Sequence, residues 1–297
     1  MLIEWCPHGD LTDIYESHHI MDAPIPEPLI WHLFESLVNV GILMEQGDLT
    51  QPQPEWNEIV HMDIKPANVF VGLHPESAPT QDNWPAYPTF KLGDYGLAFE
   101  TWEDDDRNPH KQGNCGTERY EAPEQITDEE NPQKLTAKTN VFGVGITVMT
   151  MMQRHELPGV KDKWSAARNG SKATKDHPHL NDDTKRDYSN TLVQLVSDSV
   201  RYDPEDRPSF QELRDAIRKH TRWDRDSSET DLAQGMRRST DKQTYQLGLE
   251  KDRYRLGRDI DNLDDDSDEE PNDDEESNNA EAPVAAAGPG ELDGDDI

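Results

Sequence analysis

Two short segments in the first third of the chain combine acids, a lysine and an amide in a way that restricts what the chain can fold into. The first, His61–Asn68, contains Asp63 and Lys65 and ends in an asparagine. The second, Gly93–Gly96, contains Asp94. A carboxylate that accepts a proton, a lysine that neutralises charge and oxygen ligands for Mg²⁺ are the parts of a phosphoryl-transfer site. The two segments therefore predict such a site where two loops meet.

The first segment resembles the catalytic loop of eukaryotic protein kinases, H-R-D-x-K-x-x-N, and the second resembles their D-F-G metal motif. A lone His-x-Asp or Asp-x-Gly is usually a turn, but here a whole run matches nearly every fixed position of the loop. The resemblance implies that Asp63 accepts the proton of the substrate hydroxyl and that Lys65 neutralises charge on the transferred phosphoryl group. It implies Asn68 and Asp94 as ligands of Mg²⁺.

Two later segments follow in the order of that family. Gly116–Glu124 resembles the G-T-x-x-Y-x-A-P-E end of a kinase activation segment, and Asp203–Ser209 resembles the D-P-x-x-R-P-S/T signature near the end of the large lobe. The resemblance implies a buried ion pair between Glu124 and Arg207 that holds the fold rather than the substrate. It also implies a catalytic role for Thr117, because the matching threonine of Ser/Thr kinases bridges the catalytic aspartate and lysine. Together with the lysine, it favours Ser/Thr over Tyr specificity.

The N-terminal segment, residues 1–11, resembles the hinge that joins the two lobes of a kinase and lines the adenine pocket. The resemblance implies ATP as the phosphoryl donor, with the Glu4 carbonyl and the Cys6 amide facing the adenine edge. It places Asp10 beside the ribose hydroxyls. These three residues are thus expected to bind the nucleotide together with the two metal ligands.

The resemblance covers residues 1 to about 220. A glycine-rich phosphate loop, the lysine that holds the α- and β-phosphates and the glutamate that orients that lysine have no candidate in residues 1–60. The implied fold is mainly α (α+β): the hinge and the large, C-terminal lobe of a protein kinase, with short β-hairpins around the active site. We expect a kinase domain at 1–220 that lacks the small lobe.

Residues 221–297 have a different character. From Asp261 onwards the sequence contains no Lys or Arg and many acids, and it ends in a stretch rich in Ala, Pro and Gly. Such a segment buries too little apolar surface to offset the entropy cost of ordering it. We expect an acidic, largely disordered tail, which either keeps the chain soluble or docks a basic partner.

The coarse organisation follows the family that the chain resembles, and apolar periodicity marks its long helix. Apolar residues recur at helical spacing from Leu29 to Val38, after a run of prolines that marks the start of the helix. The resemblance implies a central buried helix at residues 139–152, two last helices at 189–200 and 209–220, and short strands at 69–71 and 89–92. The proline-containing residues 72–88 predict a surface insertion between the two strands.

Charge and cysteine content limit the partners and the compartment. The chain has 29 basic and 62 acidic residues, a net charge of −33, which excludes nucleic acid and anionic membranes as partners held by charge. We expect a protein substrate that is basic and contains Ser or Thr. Two cysteines are too few for a disulfide framework and indicate an intracellular setting, in the cytoplasm, the nucleus or both. No apolar run reaches the roughly 18 residues of a membrane span, and the oligomeric state stays open.

Three positions depart from the kinase pattern. Met62 replaces the Arg that normally reads phosphorylation of the activation segment, so a phosphorylation switch there is less expected. Tyr95 replaces the Phe of D-F-G, and its ring can still pack. Asn140 stands where most kinases have an Asp that bonds the catalytic-loop backbone, and its amide still offers an acceptor. The acidic run at residues 103–106 indicates a solvated face of the activation segment.

Two functional classes stay open. The first is a Ser/Thr protein kinase, favoured because a chain without catalysis need not keep its metal ligands. The alternative is a catalytically inactive, kinase-like scaffold or regulatory protein, favoured by the missing phosphate-binding elements. Small-molecule phosphotransferases with a similar loop are disfavoured, because they lack the two later signatures.

Overall fold

The computed structural model of the chain describes residues 4–72, 87–108, 115–126, 133–155 and 178–221. Six α-helices lie in these ranges: α1 (Leu11–Ile20), α2 (Glu27–Gln46), α3 (Ala137–Gln153), α4 (Asp182–Asp187), α5 (Asn190–Ser199) and α6 (Phe210–Thr221). Four short strands lie between α2 and α3: β1 (Glu58–Val60), β2 (Val69–Val71), β3 (Phe90–Leu92) and β4 (Phe99–Thr101). The described part of the chain is therefore mainly helical with a few short strands, as the sequence predicted.

Helix α2 lies at the centre of the hydrophobic core, where α3 and α6 pack against it. Its buried face runs from Leu29 to Met44 and follows the periodicity that predicted it. The helix begins after Pro26 and has Pro28 in its first turn, where the missing N–H has no cost. It ends at Gly47, whose φ of 80° lies in the left-handed region that closes many helices.

Helix α3 is buried on almost every side, which matches the central buried helix predicted at 139–152. All of its residues except Lys138 are buried, and it contacts α2, α5 and β1. The Thr136 side chain accepts a hydrogen bond from the Lys138 amide and so begins the helix two residues before the predicted start. A Cβ on Gly143 would lie 2.9 Å from the Cβ of Ile64. Glycine there allows the loop after β1 to pack directly on the helix.

The strands form two antiparallel pairs. In one pair Glu58 of β1 lies opposite Thr101 of β4, and in the other Val69 of β2 lies opposite Leu92 of β3. The N-terminal segment extends the second pair, because the Val71 amide donates to the carbonyl of Gly9 at 2.9 Å. The two pairs flank the loop that joins β1 to β2, which holds the first of the two segments that opened the sequence analysis.

Some predictions lie outside the described residues. These are the tail beyond residue 221 and most of the insertion predicted at 72–88. Helix α6 ends at Thr221, which is fully buried and whose hydroxyl donates to the Ile217 carbonyl, so the last turn extends one residue past the expected boundary at 220. In the described ranges, no helix combines the length and the apolar character needed to cross a membrane.

Candidate active site

Four side chains from two distant segments meet at the loop between β1 and β2. Lys65 Nζ donates to Asp63 Oδ2 at 2.9 Å and to Thr117 Oγ1 at 2.7 Å, while the Thr117 hydroxyl donates to Asp63 Oδ1 at 2.6 Å. Asn68 Nδ2 donates to the carbonyl and to Oδ2 of Asp63, at 2.8 and 3.0 Å. The three residues predicted as catalytic therefore form one hydrogen-bonded cluster, and Asn68 joins it.

These contacts keep the aspartate ionised. Burial raises the pKa of the Asp63 carboxyl, but the hydrogen bonds from Lys65, Thr117 and Asn68 and the charge of Lys65 outweigh burial. The pKa of Asp63 therefore lies below its ordinary 3.8. Lys65 uses two of its three N–H donors on described residues and keeps 22% of its side chain exposed. The cluster thus has a charged, oriented carboxylate and a lysine donor that is still available to a bound molecule.

Helix α3 fixes the backbone of this loop through Asn140. Its Oδ1 accepts from the His61 amide at 2.9 Å, and its Nδ2 donates to the Ile59 carbonyl at 2.8 Å. The expectation that an amide at this position still offers an acceptor is confirmed. The amide also donates, which a carboxylate could not do, so Asn140 bonds strand β1 as well as the catalytic loop.

The second loop is held against the first. The Gly93 amide donates to the Asn68 carbonyl at 2.9 Å, and His61 Nε2 lies 3.0 Å from the Gly93 carbonyl. The His61 ring also packs against Tyr95, with ring centroids 4.7 Å apart. Burial lowers the pKa of the His61 imidazole, and this effect outweighs the opposing effect of the Gly93 carbonyl. The ring is therefore neutral near pH 7. The ring of Tyr95 thus still packs, as expected for a residue in the place of Phe.

The residues predicted as metal ligands fit Mg²⁺ chemically. The Nδ2 of buried Asn68 is used inside the cluster, which leaves its Oδ1 without a hydrogen bond to any described residue. Asp94 is exposed, has a left-handed φ of 56°, and bonds only weakly within its turn, its Oδ1 accepting from the Gly96 amide at 3.4 Å. One free amide oxygen and one free carboxylate are hard donors of the kind Mg²⁺ takes beside water and phosphate. Within the described ranges, no cluster of three or more His, Cys, Asp or Glu could hold a metal by itself.

The residues predicted to face a nucleotide lie on the segment that pairs with β2. Glu4 forms an ion pair with Lys91 of β3, and Cys6 is a half-buried free thiol. The Asp10 carboxylate caps helix α1, where Oδ1 accepts from the Thr12 amide at 2.7 Å. The structure therefore gives Asp10 a structural contact, and its role beside a ribose stays a prediction.

The ion pair predicted to hold the interior is present. Arg207 Nη1 and Nη2 donate to the two carboxylate oxygens of Glu124 at 2.6 and 2.8 Å, with both side chains fully buried. The guanidinium also lies over the Phe142 ring, 5.0 Å from its centroid. This contact joins the end of the activation segment to the segment before α6.

The acidic run of the activation segment is not wholly solvated, which corrects the expectation for one residue. Asp105 is buried and forms a two-point ion pair with Arg107, at 2.8 and 3.0 Å, and Arg107 lies over the Trp102 ring. Its three acidic neighbours are exposed, as expected. A carboxylate two residues before an arginine was the available sequence signal, because this spacing allows the pair to close within one turn.

Sequence reasoning also missed Gln125, which directly follows the motif ending at Glu124. Its buried side-chain amide bonds three backbone groups: the Met62 carbonyl in the catalytic loop, the Cys115 carbonyl and the Ala122 amide. No pattern in the sequence distinguishes it, since a glutamine beside a buried glutamate is equally compatible with a surface position.

Comparison with known proteins agrees with this geometry. The model of the protein kinase domain family matches residues 1–217. The membrane-associated tyrosine- and threonine-specific cdc2-inhibitory kinase wee-1.3 of Caenorhabditis elegans is 26% identical over 214 residues, which cover 71% of this chain and 25% of that protein. Wee1-like protein kinase 2 of Sus scrofa is 30% identical over 161 residues, 51% of this chain and 25% of that protein.

A third similar protein is the G2-specific protein kinase nim-1 of Neurospora crassa, 25% identical over 224 residues, which cover 70% of this chain and 23% of that protein. The chain thus spans about a quarter of the length of these relatives. The family match covers well over half of the chain, and the four motif segments found in its sequence lie within the matched residues. The chain belongs to the protein kinase domain family.

Proposed function

We propose that the chain forms the hinge and large lobe of a protein kinase that transfers the γ-phosphate of ATP to Ser or Thr side chains of proteins. The observation that supports this best is the contact of Thr117 with both Asp63 and Lys65, at 2.6 and 2.7 Å. A scaffold would have no need for three polar side chains held in this arrangement at a partly open surface. The arrangement instead suits a hydroxyl acceptor and a moving phosphoryl group.

Asp63 would act on the attacking substrate oxygen, and Lys65 would act on the transferred phosphoryl group. The substrate oxygen attacks the γ-phosphorus, the bond to the bridging oxygen of the departing ADP breaks, and the hydroxyl proton passes to the Asp63 carboxylate. Because the pKa of Asp63 is low, the carboxylate orients the hydroxyl and accepts the proton late, once phosphorus–oxygen bonding has begun. The remaining N–H donor of Lys65 would stabilise charge on the phosphoryl oxygens.

Asn68 and Asp94 would hold Mg²⁺, which supplies positive charge at the phosphates when it is bound. The hydrogen bond from the Gly93 amide to the Asn68 carbonyl keeps these two ligands on adjoining loops. The adenine would lie along residues 4–6, with Asp10 on the ribose side. A phosphate-binding loop of the kind found on kinase small lobes is also required, because orientation of the reactants can lower the activation barrier by roughly 7–11 kcal/mol.

Charge and cysteine chemistry support the remaining assignments. A net charge of −33 favours basic protein substrates, because like charges would repel acidic ones. Both cysteines are free thiols, which supports an intracellular, reducing compartment such as the cytoplasm or the nucleus.

The test is phosphate transfer by the chain joined to a compatible kinase small lobe. Radiolabelled ATP and a basic protein substrate should give labelled phosphoserine or phosphothreonine, and Asp63→Ala should reduce the rate by at least about 10². Asp182→Asn, an exposed substitution on α4, is the matched control and should leave the rate unchanged. Label on tyrosine would contradict the Ser/Thr assignment. The absence of Asp63-dependent transfer would favour the scaffold alternative.

A further inference from the structure

Gln125 is a buried amide whose hydrogen bonds join three separate pieces of backbone. Both N–H groups of its Nε2 are used, because Nε2 donates to the Met62 carbonyl and to the Cys115 carbonyl, each at 2.9 Å. Its Oε1 accepts from the Ala122 amide, also at 2.9 Å. The residue is 3% exposed, so water has little access to compete for these contacts.

The three partners lie at positions that matter for the cluster around Asp63. Met62 directly precedes Asp63, and Cys115 lies two residues before Thr117. The amide thus holds the two backbones whose side chains meet at the 2.6 Å contact between Thr117 and Asp63. One glutamine side chain therefore bonds the backbones of both segments that form the cluster.

Gly116 shows how closely the two backbones approach. A Cβ at this position would lie 2.8 Å from the Met62 carbonyl oxygen and 3.0 Å from Gln125 Nε2. The φ of Gly116 is also positive, at 129°. Glycine is therefore required here by the contact itself, and any side chain would separate the catalytic loop from the segment that carries Thr117.

Met62 occupies the position at which most kinases have an arginine, and it contributes differently. Its side chain is buried in a small apolar cluster with Val60, Leu135 and Cys115, its φ of 71° is left-handed, and its carbonyl accepts from Gln125. A left-handed φ is costly for a residue with a side chain, and the buried hydrogen bond offsets that cost. The contact between activation segment and catalytic loop thus needs no phosphate and no arginine.

We propose that Gln125 is a positioning residue that couples the end of the activation segment to the catalytic loop and so holds Thr117 against Asp63. The catalytic consequence rests on the kinase activity proposed above, whereas the coupling itself does not. In Gln125→Glu an ionised carboxylate oxygen would face two carbonyl oxygens, and in Gln125→Met both carbonyls would lose their donor. Either substitution should release the segment from the loop.

Cys115 provides a readout that is independent of catalysis. The chain has two cysteines, so Cys6→Ser leaves Cys115 as its single thiol, and that thiol packs in the cluster around Met62. Its rate of modification by a maleimide at a fixed pH measures how often the segment leaves the loop. Both Gln125 variants should raise the rate about tenfold or more, with the urea midpoint measured in parallel.

Gln153→Glu is the matched control. Gln153 is a buried glutamine at the end of α3 whose Oε1 accepts from Asn181, far from the catalytic loop in the sequence. It should not alter the modification rate of Cys115. In the chain joined to a small lobe, with its native cysteines, the Gln125 variants should lower kcat and leave the KM for ATP unchanged, since the adenine side of the site is untouched.

The outcomes separate this proposal from the proposed function. Unchanged labelling in both Gln125 variants would overturn the coupling, and so would an equal increase in Gln153→Glu, because the effect would then be general destabilisation. Faster labelling in the Gln125 variants alone, with no Asp63-dependent transfer by any form, would support the coupling and reject the kinase activity.

Discussion

Two ion pairs of this chain differ in what surrounds them. Arg207 and Glu124 are both fully buried, and every N–H of the guanidinium has an acceptor: Nε the Arg201 carbonyl, Nη1 Glu124 and the Lys138 carbonyl, Nη2 Glu124 and the Tyr202 carbonyl. Lys65 and Asp63 pair at a partly open surface, and the lysine keeps one donor that bonds no described residue.

The comparison separates fold from chemistry. A guanidinium with all five donors bonded has nothing left to offer a ligand, and removing its partner would leave a buried charge unpaired. A lysine with a spare donor contributes little to the fold, because water competes for its charge. A free N–H donor, more than the presence of opposite charges, distinguishes the ion pair of the site from the ion pair that holds the fold.

Removing the buried arginine should have the largest effect on stability. Arg207→Ala leaves Glu124 charged and unpaired in the interior, which should lower the free energy of unfolding by about 3–5 kcal/mol. Urea unfolding followed by tryptophan fluorescence measures it. Arg186→Ala, which removes an exposed pair with Asp183, is the control and should cost less than about 1 kcal/mol. Similar losses in the two variants would show that burial is not what distinguishes the pairs.

Removing the lysine of the site should give the opposite pattern. Lys65→Met should lower the free energy of unfolding by less than about 1 kcal/mol but reduce kcat of the chain joined to a small lobe by about 10² or more. The pKa of Asp63 should rise, since Lys65 supplies both a hydrogen bond and a positive charge that lower it. The acid limb of the activity profile should therefore move to higher pH. A loss of stability as large as that of Arg207→Ala would contradict the comparison.

Glu58 extends the comparison to a half-buried residue whose carboxylate forms no ion pair with a described residue. Its Oε1 is buried and has no hydrogen-bond partner among the described residues. Burial and, to a smaller extent, the nearby Glu45 carboxylate raise the pKa of Glu58 from 4.5 to about 7, against the opposing effect of a hydrogen bond from the Ala137 amide. Because the folded pKa is the higher one, the stability that protonation contributes is complete below 4.5 and is lost as pH rises through about 7.

Glu58→Gln should therefore be more stable than the wild type at pH 8, on the order of 2 kcal/mol, with a smaller difference at pH 5. Urea midpoints across this pH range measure the effect. Glu16→Gln, an exposed change on α1, serves as the control and should show no such trend. A constant difference between wild type and Glu58→Gln at all pH values would contradict the buried carboxylate as its cause.

The smallest change concerns an exposed carboxylate that contributes little to the fold. Asp94→Ala should lower the free energy of unfolding by about 1 kcal/mol or less, because Asp94 is exposed and makes one weak contact within its own turn, and alanine fits its left-handed φ of 56° only slightly less well. Its affinity for ATP in the presence of Mg²⁺ should fall about tenfold or more, with no change when Mg²⁺ is absent. Isothermal calorimetry on the wild type and the variant measures this, and equal affinities with Mg²⁺ would reject Asp94 as a ligand.

The sequence by itself identified the candidate site residues and predicted α2, α3, α5 and α6, but not the shorter helices α1 and α4. Asp63, Lys65 and Asn68 are close in the chain, so one loop can bring them together, and the buried face of α2 follows from regular apolar spacing. The pair of Glu124 and Arg207 could be predicted although 83 residues separate its members, because each belongs to a motif of the family.

Only the tertiary structure decided the contacts that depend on backbone groups far away in the chain. Gln125 bonds the Met62 carbonyl, 63 residues away, and the Arg207 guanidinium bonds the Lys138 carbonyl, 69 residues away. A polar side chain can bond any donor or acceptor that folding brings within about 3 Å, and its residue type does not say which. Local motifs in the sequence therefore indicate which residues form the site. The hydrogen bonds that hold those residues in position depend on where the packed core places each carbonyl and amide.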